Sequence, residues 1–146
     1  MKRIGIERGA YEGMYVLEKY MKSTSLDKKL CELIKVRASQ INGCAYCLDM
    51  HTEEAMDMGE TPRRLYAVAA WHESPLFTEQ ERIALKMTEE ITQIGKEGLT
   101  DETYDAAIRA FGEQATAQII MQVVIINSWN RITISGKEEY VSKHDK

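Results

Sequence analysis

Residues 25–59 read SLDKKLCELIKVRASQINGCAYCLDMHTEEAMDMG, and this stretch holds the strongest local signals for the fold. The dipeptide Asn42-Gly43 in its middle is typical of a turn or a helix C-cap. A helix that Ser25 could cap is predicted to run to about residue 40, because apolar residues recur there on one helix face. These residues are Leu30, Leu33, Ile34, Ala38 and Ile41. A further helix is predicted over about residues 44–58.

Helix signals also dominate on both sides of this stretch. A first helix is predicted over about residues 7–22, and Thr61-Pro62 supplies an N-cap and a first-turn proline for a helix to about residue 72. A capping box at residues 78–81 precedes a helix to about residue 94. Two more helices are predicted, over residues 101–111, ended by Gly112, and over about residues 113–134. The pattern predicts an all-α fold, a single-domain helical bundle of about seven helices covering residues 1–146.

Composition and charge narrow the classes of function. The chain of 146 residues is 44% hydrophobic and 29% charged, which is typical of a soluble globular domain. Its net charge of −4 argues against a dedicated nucleic-acid binder, which normally carries a basic stripe. The longest apolar stretch, residues 119–126, is too short to cross a membrane, and no secretory signal is recognised. Three cysteines, an odd number, suit a reducing compartment, so a cytoplasmic location is expected.

Two of these cysteines, Cys44 and Cys47, form a C-x-x-C pair at the predicted start of the third helix. A helix N-terminus stabilises a thiolate, because its unpaired N–H groups and its dipole favour negative charge. His51 lies four residues beyond Cys47, so it shares a helix face with both cysteines and can accept a thiol proton. The dipole favours Cys44 as the reactive thiol, whereas closeness to His51 favours Cys47. A nucleophile, a resolving thiol and a base on one face indicate activated-thiol chemistry.

Two other interpretations of this group stay open at the level of the sequence. A structural zinc site would use both thiolates and the imidazole, but the sequence has no second C-x-x-C or paired histidine as an obvious fourth ligand. Alternatively, the cysteines are small buried residues and His51 is a hydrogen-bonded core histidine. A thioredoxin-type fold is not favoured, because no strand is predicted before Cys44. We expect no metal and no cofactor.

The same residues resemble a known protein family. Glu32, the Cys44-Ala45-Tyr46-Cys47 segment and then His51 are similar to the core motif of the alkylhydroperoxidase (AhpD)-like branch of the carboxymuconolactone decarboxylase family. Residues 126–131, INSWNR, resemble the second-half helix of that family. The resemblance implies an all-helical homo-oligomer, a trimer or a hexamer. It also implies reduction of hydroperoxides or disulfides with electrons from a dithiol or a protein donor.

The resemblance further assigns roles to individual residues. It implies that Cys47 attacks the substrate, that Cys44 then forms the disulfide, and that His51 and Glu32 relay the proton. The role of Glu32 rests on the resemblance alone, because a helical wheel puts it off the apolar face and predicts exposure to solvent. The best-studied members of this branch have a histidine directly before the second cysteine, where this chain has Tyr46. One group of the proton relay is therefore absent.

The resulting hypothesis is a cytoplasmic thiol-dependent peroxidase or disulfide oxidoreductase that binds neither nucleic acid nor membranes. A decarboxylase of the sister branch is an alternative, although that branch typically lacks the cysteine pair, and a non-catalytic oligomeric module is another. Cys31 is expected to be a packed thiol, His72 a helix-end residue and His144 an exposed tail residue. Residues 129–131 are expected to line a pocket or a subunit contact.

Overall fold

Six α-helices and one 3₁₀ helix form the regular structure in a computed structural model that describes Arg3 and residues 5–143. They are α1 (Arg8–Ser23), α2 (Lys28–Asn42), α3 (Ala45–Asp57), α4 (Pro62–Ala67), the 3₁₀ helix Val68–Glu73, α5 (Glu79–Thr92) and α6 (Asp101–Gly136). No strand occurs in this described part of the chain. The prediction of an all-α bundle with about seven helices is confirmed. The predicted tail residue His144 lies outside the described residues.

The helix boundaries follow local signals, with two differences. Thr78 and Glu81 form the predicted capping box at the start of α5. α2, however, is capped by the side chain of Asp27 and not by Ser25. The helix predicted up to residue 72 changes to 3₁₀ geometry after α4, and Ala70 has non-helical φ and ψ of −121° and 30°. A break of this kind has no local signal comparable to a glycine or a proline.

α6 changes direction at Gly112, where the two last predicted helices meet. Gly112 has φ 82° and ψ 173°, a conformation that residues with a Cβ rarely adopt. Beyond this break, Ile119, Val123 and Ile125 enter the hydrophobic core. The glycine therefore does what the sequence predicts: it ends one helix and allows the next to pack along the bundle.

α2 lies at the centre of the bundle, where it packs against α3, α5, α6 and the 3₁₀ helix. Its buried residues consequently lie on every side: Leu30, Cys31, Glu32, Leu33, Ile34, Val36, Ala38 and Ser39. The expectation that Glu32 is exposed is wrong, because neighbouring helices also cover the polar face of α2, and the residue is 2% exposed. Cys31 is a buried free thiol, as predicted.

Two apolar clusters hold α2 in place. The first joins it to α1, α5 and α6, and the second joins it to α3, α4, the 3₁₀ helix and α5. Both clusters contain fully buried side chains, for example Ile34 in the first and Val36 in the second. Within the described ranges, no helix has both the length and the apolar character needed to span a bilayer. Packing on both sides fixes residues 30–36 of α2, and the last turns of the helix lead into the candidate site.

Candidate functional site

The turn after α2 positions the two cysteines of the C-x-x-C pair. Gly43 ends α2 in the left-handed conformation, with φ 72° and ψ 34°, and the N–H of Cys44 donates to the carbonyl of Ser39 at 3.0 Å. Cys44 is then the N-cap of α3, and its Sγ accepts the N–H of Cys47 at 3.4 Å. The two side chains form a disulfide, with Cα atoms 5.3 Å apart. The spacing of the pair therefore brings both sulfurs together in the first turn of α3.

A network of polar side chains holds this turn against α6. Asn42 Nδ2 donates to Asn127 Oδ1 at 2.9 Å and to Asn130 Oδ1 at 3.0 Å. Asn130, which is fully buried, donates in turn to Ser39 Oγ at 3.0 Å, and Asn127 donates to Thr92 Oγ1 at 3.0 Å. Because a buried amide is costly to leave unpaired, the network fixes the turn that precedes the first cysteine. Asn130 thus supports the turn.

His51 lies on α3, one turn beyond Cys47, and two carboxylates face its ring. Nδ1 makes a hydrogen bond with Glu54 Oε2 at 3.1 Å and lies 3.2 Å from Glu32 Oε2, at ion-pair distance. Glu54 belongs to the same helix, whereas Glu32 comes from α2. Glu32 Oε1 accepts a hydrogen bond from Lys35 Nζ at 2.9 Å. Since Nδ1 is engaged, Nε2 is the ring nitrogen that can exchange a proton with another group.

These contacts shift the pKa values of His51, Glu54 and Lys35. Burial lowers the pKa of His51, but the contacts with Glu32 and Glu54 outweigh burial and raise the pKa above its ordinary value of 6.5. The pKa of Glu54 is lowered, mainly by its hydrogen bond with His51. Burial would lower the pKa of Lys35 as well, but the Glu32 carboxylate reverses that effect and raises it. The arrangement therefore favours a charged imidazolium held between two carboxylates.

A cavity of about 370 Å³ opens beside this group. Cys47, His51 and Lys35 form part of its wall. Apolar and aromatic side chains from α1, α3 and α6 also line it: Tyr11, Tyr15, Tyr46, Met50, Ile126, Trp129 and Ile132. Polar and charged side chains complete the wall: Glu18, Lys22, Glu54, Gln122, Thr133 and Glu138. Of the four residues assigned by the resemblance, Cys47 and His51 thus face the cavity, while Cys44 and Glu32 lie behind them.

The sequence does not single out Glu54, Lys35 or Gln122, which also line the cavity. The first two have a local signal, because each lies three residues beyond its partner on one helix face. Trp129 lines the cavity, as one interpretation of residues 129–131 expected, and its Nε1 donates to Glu18 Oε1 at 2.9 Å. A larger and more open groove of about 640 Å³ lies around Arg64 and contains neither cysteine.

Three of these residues also form a candidate metal-binding group. In the part of the chain that the structure describes, Glu32, His51 and Glu54 place ligand atoms within 4.8 Å of one another, a spacing that could hold a cation. The ammonium group of Lys35 contacts Glu32 and opposes a cation there. The alternative zinc site needs both thiolates as ligands, but here the two sulfurs are bonded to each other. His72 is at the end of the 3₁₀ helix, as expected, and contacts a glutamate of α5.

Three comparisons relate the chain to known proteins. Residues 10–90 match the carboxymuconolactone decarboxylase family. The uncharacterized protein YdfG of Bacillus subtilis (strain 168) is 39% identical over 145 residues, which cover 97% of this chain and 99% of that protein. A crystal structure of a protein from Agrobacterium tumefaciens has a TM-score of 0.89, 33% identity and 92% coverage of both chains. That protein is described as of unknown function and as a candidate antioxidant defence protein AhpD. The debrominase Bmp8 has a TM-score of 0.78 with 20% identity, over 90% of this chain and 70% of its own, a likeness of fold alone.

Proposed function

This chain belongs to the carboxymuconolactone decarboxylase family, in its AhpD-like branch, and we propose that it is a thiol-dependent peroxidase acting through Cys47 and Cys44. One observation carries the proposal: Cys47 and His51 face the same cavity, and Cys44 is close enough to Cys47 to form a disulfide. An oxidisable dithiol, a base and a cavity of substrate size are what this chemistry requires.

The proposed reaction starts from the reduced dithiol. The Cys47 thiolate attacks the terminal oxygen of a hydroperoxide, so that an S–O bond forms, the O–O bond breaks and the alcohol leaves with a proton. Cys47 is then a sulfenic acid, and the Cys44 thiol attacks its sulfur to release water and form the disulfide. A dithiol or protein donor returns two electrons and two protons. One hydroperoxide therefore yields one alcohol and one water.

His51 moves the proton in this scheme. Because the carboxylates engage Nδ1, Nε2 takes the proton of Cys47 and returns it to the departing alkoxide. Glu32 and Glu54 stabilise the resulting imidazolium, which is the effect that raises the pKa of His51. We assign Tyr46 to the cavity wall, where its ring packs edge-on against that of Tyr140, with the ring centroids 5.2 Å apart.

The cavity supports an organic hydroperoxide as the substrate class. A water molecule occupies about 30 Å³ in the liquid, so hydrogen peroxide would fill only a small part of about 370 Å³. Tyr15, Ile126 and Trp129 present apolar surface that would bury a hydrocarbon or aromatic body. No comparable observation favours the decarboxylase alternative, whose branch typically lacks the cysteine pair.

We also propose a homo-oligomer in a reducing compartment such as the cytoplasm. Tyr15, Val16 and Tyr20 on α1 are 61%, 67% and 44% exposed, and burying such side chains in a contact between copies is favourable. A dithiol that must be re-reduced after each turnover also suits a reducing compartment. Sedimentation that shows a single monomeric species at micromolar concentration would contradict the oligomer.

The peroxidase proposal is tested by single-turnover oxidation of the reduced protein. Cumene hydroperoxide and hydrogen peroxide serve as probes, and mass spectrometry follows the disulfide. Cys47→Ser should abolish the reaction, Cys44→Ser should stop it at the sulfenic acid, and Cys31→Ser is the matched control that should react as the wild type does. A wild-type dithiol that reacts with either peroxide no faster than a small free thiol would refute the proposal.

A further inference from the structure

Gln122 is a buried polar residue in the wall of the cavity that also contains Cys47 and His51. It lies on α6 and is only 2% exposed. Its Nε2 is buried and has no hydrogen-bond partner within the described ranges, Arg3 and residues 5–143. A buried amide donor without an acceptor is costly and rare, so this one needs an explanation.

Two asparagines of α6 pair their amides within the fold, whereas Thr116 Oγ1, also buried on α6, has no hydrogen-bond partner among the described residues. Asn127 Nδ2 donates to Thr92 Oγ1 and to the carbonyl of Val123, and Asn130 Nδ2 donates to Ser39 Oγ. These two asparagine amides donate within the fold, whereas the Gln122 amide, beside the cavity, does not. The fold has no evident use for the Gln122 donor.

Apolar neighbours of Gln122 on α6 line the same cavity. Ile126 and Trp129, on the following turns of the same face, supply apolar wall to the cavity. A molecule bound against them would meet Gln122 as a polar contact from α6, and Thr133, further along the same helix, is another polar residue of the wall. The final torsion of a glutamine is broad and roughly two-fold, so rotation can turn the amide N–H toward the cavity.

We propose that Gln122 binds the peroxide group of the substrate, with its side-chain amide donating a hydrogen bond to the oxygen that leaves as alkoxide. This inference rests on the proposed function. As Cys47 sulfur forms its bond to the terminal oxygen and the O–O bond breaks, negative charge grows on the other oxygen, and a donor already in place stabilises it. His51 supplies the proton that finally neutralises this oxygen, whereas Gln122 keeps its own protons and orients the group.

Gln122→Met is the informative variant, because methionine has a similar length and helix propensity but no donor. Gln118→Met is the matched control: it makes the same change at another buried position one turn earlier on α6, outside the wall of this cavity. The second-order rate constant for oxidation of Cys47 by cumene hydroperoxide should fall about tenfold in Gln122→Met, the effect of about one hydrogen bond. It should change less than about twofold in Gln118→Met.

A second readout separates substrate binding from a merely structural role. Alkylation of Cys47 by iodoacetamide, and its dependence on pH, should be unchanged in Gln122→Met, because that reagent has no peroxide group. Equal loss of both reactions, or an unchanged peroxide rate, would overturn the proposal. If the wild type itself fails to reduce the hydroperoxide, the proposed function is wrong and the role of Gln122 falls with it.

A measurement on the wild type reports binding directly, and the variant serves only to assign the glutamine signal. The reduced protein with ¹⁵N-labelled glutamine is titrated with 2-phenyl-2-propanol, the alcohol product of cumene hydroperoxide. The side-chain amide signals of one glutamine should shift, and that signal should be missing from Gln122→Met. Amide signals that do not move at saturating alcohol would also overturn the proposal.

Discussion

Replacing Glu32 with glutamine removes the buried charge that faces His51 while it preserves the size of the side chain. The amide oxygen can still accept the hydrogen bond from Lys35. We expect the pKa of His51 to fall and the Cys47 thiolate to form only at higher pH, because the imidazolium loses its buried partner. Glu54→Gln is the matched control, since it makes the same change at nearly the same distance from Nδ1, 3.1 Å against 3.2 Å.

Solvent exposure determines how strongly Glu32→Gln and Glu54→Gln should each affect His51. The side chain of Glu32 is 3% exposed and that of Glu54 is 44% exposed. Two unit charges 4 Å apart interact by roughly 4 kcal/mol at a protein site of intermediate dielectric and by roughly 1 kcal/mol in water. Glu32 should therefore stabilise the His51 imidazolium several-fold more strongly than Glu54 does. We expect Glu32→Gln to slow oxidation by the hydroperoxide at least about tenfold, and Glu54→Gln to slow it no more than about threefold.

The assay combines three measurements on the reduced protein. NMR titration of the imidazole protons reports the pKa of His51, with His72, which lies on the 3₁₀ helix, as an internal reference. Alkylation of Cys47 as a function of pH, read by peptide mass spectrometry, reports thiolate formation. Thermal unfolding at several pH values shows whether either variant has lost its fold.

Unfolding also has an expected pH dependence. The pKa of His51 is raised in the folded state, so its stabilising contribution is complete below about 6.5 and is lost as the pH rises through the raised value. The stability difference between the wild type and Glu32→Gln should therefore shrink across that range. Equal effects of the two variants, a larger effect of Glu54→Gln, or an unchanged pKa of His51 in Glu32→Gln would refute the reasoning.

Two other substitutions test the remaining parts of the site. Cys31→Ser should leave the oxidisable dithiol intact, because burial raises the pKa of the Cys31 thiol to about 11. Mass spectrometry after mild oxidation measures the intramolecular disulfide, and its loss in this variant would contradict the prediction. Asn130→Ala should lower the free energy of unfolding in urea by about 1–3 kcal/mol and slow disulfide formation, because Asn42 and Ser39 lose a buried partner. The control is Gln114→Ala, at an exposed position of α6. Equal stability of the two variants would argue against the network.

Most helix ends could be predicted because their signals act over only a few residues. The capping box of Thr78 and Glu81 and the positive φ of Gly112 are properties of the local chain. The predicted cap Ser25 is wrong, since Asp27 caps α2; serine and aspartate side chains can both accept an N–H of the first turn, so the residue type alone does not identify the cap. The break at Ala70 has no local signal comparable to a glycine or a proline.

The residues of the site can likewise be divided into those that follow from local spacing and those that depend on tertiary packing. Cys44, Cys47 and His51 belong to one helical segment, so their spacing alone aligns them. Glu32 lies on another helix, and its burial depends on the three α-helices and the 3₁₀ helix packed around α2, which periodicity within α2 does not report. The unpaired donor of Gln122 is likewise a tertiary property, since in the sequence this residue only interrupts an apolar run.

The family match over residues 10–90 contains both cysteines, His51 and Glu32, yet part of the cavity wall comes from α6, which lies entirely beyond it. The same helix also anchors Asn42 and so carries part of the scaffold of the sulfur chemistry. Under the proposed function, substitutions at Ile126 or Trp129 would change which hydroperoxide the cavity accepts and leave both cysteines in place. Substrate preference would then evolve on one helix, separately from the reacting sulfur atoms on another segment.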